Sequence, residues 1–195
     1  RCGHVFLYAR AEFAADPLML FRVWEGGMAS HGGFLGVLLA GAWFARRIKA
    51  DFYAIGDLLC ALAPAGLLFG RLANFINGEL WGRVSDVPWA MVFPRGGPLP
   101  RHPSQLYESL FYFLCFLVLR WMERKHPAAQ QPGALLGAFL VLVFGFRFFI
   151  EFLKADQVNF ESQMMLNMGQ WLSIPAIVLG LLLWSGRLPW KSKAA

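Results

Sequence analysis

Hydrophobic residues in this chain fall into long runs separated by short polar connections, without the strict alternation of a half-buried strand. Five windows approach the roughly 20 mostly apolar residues that a membrane-spanning helix needs. They are Ala29–Ile48, Ile55–Ile76, Gln105–Met122, Gly133–Leu153 and Gly169–Leu188. Ahead of them, Asp16-Pro17 reads as a cap and first helical residue, opening a short interfacial helix through Trp24. One long Gly/Pro/Arg-rich loop, Gly82–Pro103, interrupts the series. The pattern predicts an all-α, polytopic transmembrane helical bundle forming a single domain over residues 1–195. Close helix approach is expected at the small-residue pairs Gly32/Gly36, Gly66/Gly70 and Gly133/Gly137.

Composition strengthens this reading. Of 195 residues, 57% are hydrophobic and 15% charged, where a soluble domain carries about 25% charged residues. Mean hydropathy is +0.48. The net charge of +6 favours an anionic partner. Without a basic stripe interleaved with aromatics on a soluble segment, lipid headgroups fit better than nucleic acid. Cys60 and Cys115 lie in apolar runs and read as packing residues. The chain begins at Arg1 inside an apolar stretch, so a fragment lacking its N-terminal spans is expected. The connections at Arg46–Lys49, Arg120–Lys125 and Arg187–Lys193 are short and basic, which assigns their side to the cytoplasm.

Charged groups within spans are costly and mark function. Here they gather at span ends: His31 opens the first, Arg71 and Asn74 close the second, His102 to Glu108 open the third, and Arg147 and Glu151 close the fourth. Alternating span direction places all four groups on the non-cytoplasmic side. Arg71 and Asn74 are three apart and share a helix face, and a guanidinium fork suits phosphate. Milder readings exist for each: Arg71 snorkels to the interface while Asn74 caps a helix, Arg147 and Glu151 neutralise each other, and His31 is structural. Pro103 suits a first helical position. No metal motif, phosphate loop or nucleophile elbow is visible.

The segment Gly70-Arg71-Leu72-Ala73-Asn74-Phe75-Ile76-Asn77-Gly78-Glu79-Leu80-Trp81-Gly82 resembles the signature of the bacterial prolipoprotein diacylglyceryl transferases. Glu25-Gly26-Gly27-Met28 running into Ser30-His31-Gly32-Gly33, then His102–Glu108, Phe146-Arg147 and Glu151-Phe152, follow in the family's order. The likeness runs from Arg1 through Gly180. It implies a seven-span bacterial inner-membrane enzyme, of which five spans are present here, with its active site toward the periplasm. It implies transfer of diacylglyceryl from phosphatidylglycerol to the lipobox cysteine of a prolipoprotein signal peptide, without a cofactor. Carried across, His31, Arg71, Asn74, Glu79, Arg147 and Glu151 become catalytic candidates, with Arg71 on the lipid phosphate. Asn77, Gly82, His102, Gln105, Tyr107 and Glu108 become substrate-binding candidates.

Two features depart from the pattern. Val143 stands one turn before Arg147, where some members carry a functional tyrosine, and the Gly82–Pro103 loop is short for the family. A transporter or channel for an anionic solute would want polar residues through the full bilayer depth, and inverted repeats would mark a transporter. A non-catalytic assembly subunit would leave the convergent Arg, His and Glu groups unexplained.

Overall fold

The computed structural model describes residues 13, 14, 16–22, 24, 30–126, 131–154 and 166–186. Five helices dominate: α1 (Ser30–Ile48), α2 (Phe52–Ile76), α3 (Ser104–Lys125), α4 (Ala134–Ile150) and α5 (Met168–Trp184). A two-residue ribbon, β1 (Met91–Val92) antiparallel to β2 (Pro100–Arg101), sits in the long loop. Among the described residues, each expected apolar window coincides with one of these helices to within a few residues. By length and composition, α2 and the helical run Ala134–Leu153 are able to cross a membrane, and the apolar Gly169–Trp184 is shorter. Charges at Glu108, Arg120, Glu123, Arg124 and Lys125 lower the average of α3.

The chain divides into two units, Arg1–Ile55 and Gly56–Ala195. In the first, the described part of the helix expected from Asp16 through Trp24 holds a 3-10 turn, Pro17–Leu20. The Asp16 carboxylate accepts from Leu18 N at 3.1 Å and pairs with Arg22 at 2.8 Å. Asp16 caps and Pro17 opens this turn, as the Asp-Pro pair predicts. α1 carries Arg46 and Arg47 in its last turn, where cations complement the helix dipole. Arg47 lies over the Trp43 ring at 5.3 Å. Asp51 then starts α2, accepting from Tyr53 N at 2.7 Å and Ala54 N at 3.2 Å.

In the second unit, α4 packs most extensively on α5. Their backbones meet at Gly137 and Gly180, where a Cβ on either would lie 2.7–2.8 Å from the other's carbonyl oxygen. Such contact demands glycine on both sides. Gly137, in one of the small-residue pairs expected to admit a neighbouring helix, does so here against Gly180 of α5. Around Gly36, Gly66 and Gly70 a Cβ would meet nothing within 4 Å, so those spacings do not mark contacts in the described structure. Leu119, Met122, Leu135 and Ala138 form a small core against Phe139, Leu142 and Trp184. Phe111 of α3 stacks on Phe146 of α4 at 3.8 Å.

The N-terminus of α4 is held from α2. The buried Asp57 carboxylate accepts from Gly133 N and Leu136 N, each at 2.7 Å. It serves as a cap supplied by another helix, satisfying donors that would otherwise be stranded.

Candidate active site

The opposite ends of these helices carry the polar residues. α2 stops at Ile76, and the chain turns through Gly78 and Leu80, with φ of +64° and +57°. Glycine adopts that backbone freely, whereas a leucine does so only when its surroundings hold it. The hold comes from the first turn of α3. Ser104 Oγ donates to Leu80 O at 3.0 Å, and Gln105 Nε2 donates to Glu79 O. Both side chains are fully buried. Pro103 is the cap residue just before α3 and not its first helical residue. The His102–Glu108 motif therefore clasps the turn made by the Arg71–Gly82 motif.

Gly82 closes that turn. Its N–H donates to His102 O at 2.9 Å, and it bridges Lys154. A Cβ there would lie 2.7 Å from Leu153 O and from His102 Cβ. Beside it, Arg83 N donates to Leu153 O at 2.8 Å and Arg83 Nε to Lys154 O at 2.9 Å. The signature loop is thus stitched to the segment that follows α4.

Behind this seam lies a chain of alternating charges. Glu108, fully buried, receives Arg71 Nε at 3.2 Å on one oxygen and Lys154 Nζ at 3.0 Å on the other. Those contacts are ion pairs without ideal hydrogen-bond alignment, since neither oxygen has a well-aligned donor. Lys154 Nζ also lies 3.6 Å from Glu151 Oε1, and Arg147 Nε lies 3.8 Å from the same atom. Asn167 Nδ2 donates to Glu151 Oε2 at 3.1 Å. Arg71 further donates to Asn74 Oδ1 at 3.3 Å and reaches the Tyr112 hydroxyl. Three cations face two carboxylates, leaving one positive charge in excess. That balance and two guanidinium forks suit a phosphate ester.

Not every expected residue joins this cluster. The Glu79 carboxylate turns outward to Arg95 at 3.4 Å, and Asn77 is exposed. His102 and Tyr107 meet at 3.2 Å, and Trp89 Nε1 donates to the same hydroxyl at 2.6 Å. The Gln105 side-chain oxygen is buried without a hydrogen-bond partner. Val143 is buried in α4. His31 lies in the first turn of α1, and its side chain is outside the described atoms, as is Glu25–Met28. Arg147 and Glu151 are not a closed pair, because Lys154 and Asn167 share the carboxylate. Among the described residues, no cluster of three or more His, Cys, Asp or Glu has the makings of a metal site.

Sequence reasoning missed Lys154, Tyr112 and Asn167. Lys154 stands three residues after Glu151, a spacing that brings side chains together on one face. Asn167 and Gln170 form a capping box at the start of α5, with Gln170 N donating to Asn167 Oδ1 at 2.9 Å. The Asn-x-x-Gln pattern was the available signal.

The family model described as prolipoprotein diacylglyceryl transferase matches residues 1–185. The chain is similar to the phosphatidylglycerol–prolipoprotein diacylglyceryl transferase of Pseudomonas aeruginosa, 45% identical over 192 residues, covering 96% of this chain and 71% of that protein. It is similar to the proteins of the same name from Pseudoalteromonas translucida, at 50% identity over 95% of this chain and 70% of the relative, and from Vibrio vulnificus, at 48% over 94% and 67%.

Proposed function

Since this chain belongs to the prolipoprotein diacylglyceryl transferase family, we propose that it transfers diacylglyceryl from phosphatidylglycerol to the cysteine thiol of a prolipoprotein lipobox. This is the first step of bacterial lipoprotein maturation. The observation that carries the reading is the Arg71–Glu108–Lys154–Glu151–Arg147 chain, with its excess positive charge at the helix ends.

In the proposed reaction the thiol sulfur attacks the diacylglyceryl carbon bonded to the phosphate oxygen. The carbon–oxygen bond breaks, a thioether forms, and glycerol phosphate leaves with the bonding electrons. A thiol with a pKa of about 8.5 needs a base or a positive neighbourhood to react, and His31 is the candidate base. The departing phosphate gains charge, which Arg71 and Arg147 are placed to receive. Glu108 and Glu151 fix these guanidiniums, and Asn74 adds a further hold on Arg71. Glu79 orients Arg95 in the loop, where the signal peptide approaches along with His102, Tyr107 and the Asn77–Gly82 turn. Gln105 and Gly82 keep that turn in place.

The enzyme occupies the bacterial inner membrane, with α1 to α5 spanning it within a seven-span whole and the charged ends facing the periplasm. The partners are phosphatidylglycerol, the lipobox-bearing signal peptide and the bilayer. Incubating the full-length protein with phosphatidylglycerol vesicles and a lipobox peptide tests the reading. The peptide should gain the mass of one diacylglyceryl group; an unmodified peptide at full enzyme recovery rejects it.

A further inference from the structure

Lys154 is the most deeply placed cation of the charge chain and sits at its centre. Its side chain is 3% exposed, against 17% for Arg71 and 38% for Arg147. Taking an ammonium group out of water is costly unless carboxylates surround it. Here Glu108 lies at 3.0 Å and Glu151 at 3.6 Å. Each of those carboxylates holds a different arginine, Glu108 from α3 and Glu151 from the end of α4.

The backbone of Lys154 is fixed independently. It bridges Gly82, accepts from Arg83 Nε at 2.9 Å, and follows Leu153, whose carbonyl accepts from Arg83 N at 2.8 Å. The side chain therefore enters the cluster from an anchored point. Gly82 permits this approach, since a Cβ would collide with Leu153 O.

We infer that Lys154 is a positioning residue for the diacylglyceryl transfer: it ties Glu108 to Glu151 and so sets the placement of Arg71 and Arg147 toward one lipid phosphate. Without the ammonium, two buried carboxylates lose their shared cation and draw each arginine inward, away from the anion. The arginines act on the substrate; Lys154 acts through the carboxylates. This inference rests on the transferase reading above, and its test separates the two.

The test uses the full-length protein with phosphatidylglycerol vesicles and a lipobox peptide. Lys154→Met keeps the stem and removes the charge, and Lys154→Arg keeps the charge. Misplacing a reacting group by an ångström costs on the order of a hundredfold. Lys154→Met should thus lower kcat/KM by about that factor, through a higher KM for phosphatidylglycerol together with a lower kcat, with KM for the peptide unchanged. Lys154→Arg should recover most of the loss. Combined with Glu108→Gln, the two losses should fail to multiply, by about fivefold or more. If Lys154→Met does not accumulate, the doubly neutral Lys154→Gln/Glu108→Gln protein should show the same rise in lipid KM. A fall in kcat alone is what a misfolded fraction would give, and it overturns the assignment, as does an unchanged KM for lipid in either protein. Absence of transfer by the unsubstituted enzyme instead overturns the reading of function.

Discussion

Arg71 differs from a surface arginine in what surrounds it: a fully buried carboxylate at 3.2 Å, an asparagine oxygen and a tyrosine hydroxyl. Lysine would keep the charge but lose the planar fork that serves Glu108, Asn74 and a phosphate together. Hydrogen bonds to charged groups contribute about 1.5–3 kcal/mol each, so Arg71→Lys should lower transfer roughly tenfold or more. Near-normal turnover of the lysine protein would remove Arg71 from the lipid site. Gly82→Ala forces a Cβ onto Leu153 O and His102 at 2.7 Å. Overpacking of this kind costs about 1–3 kcal/mol, and the thermal midpoint in detergent should fall accordingly. An unchanged midpoint would show that the seam yields without cost. At this scale the sequence announced Arg71, Glu108, Arg147 and Glu151 because charges stand out in apolar runs. Lys154 was hidden, since a lysine at the end of a span reads as ordinary interfacial punctuation. Its burial comes from Gly82 and Arg83, about 70 residues earlier in the chain.

At the scale of elements, apolar run length found α1 to α5 to within a few residues, because burying a backbone in hydrocarbon requires its hydrogen bonds to be made internally. Glycine spacing was a poorer guide. A small-residue pair within one helix does not say which neighbour it meets, and the real contact joins Gly137 to Gly180 across two helices. Gly180→Leu should therefore separate α4 from α5 and lower stability, while Gly66→Leu, with nothing within 4 Å, should not. Comparing thermal midpoints of the two proteins decides this; equal losses would contradict the packing described. Asp57 was likewise unread, since its partners lie 76 and 79 residues away. Loss of a helix cap costs about 0.5–2 kcal/mol, so Asp57→Ala should destabilise by that order. Activity per folded molecule should stay close to normal, because the site lies at the other end of α4.

For the molecule as a whole, the proposed orientation places the basic connections inside the cell. A cysteine at Ser85 should react with an impermeant thiol reagent in intact cells, and one at Ala50 should not. The reverse pattern would put the charged cluster in the cytoplasm. α4 also has a property that belongs to the whole assembly. Its first turn is bonded to Asp57 of α2, and at its far end Phe148 O and Glu151 Oε2 accept from Gln170 and Asn167 at the start of α5. A slip of one residue along its axis, about 1.5 Å, would break both attachments together. α4 is therefore a fixed post that cannot work as a piston. On the transferase reading, an opening that admits a two-chained lipid from the side is therefore expected in elements other than the tied pair α4 and α5.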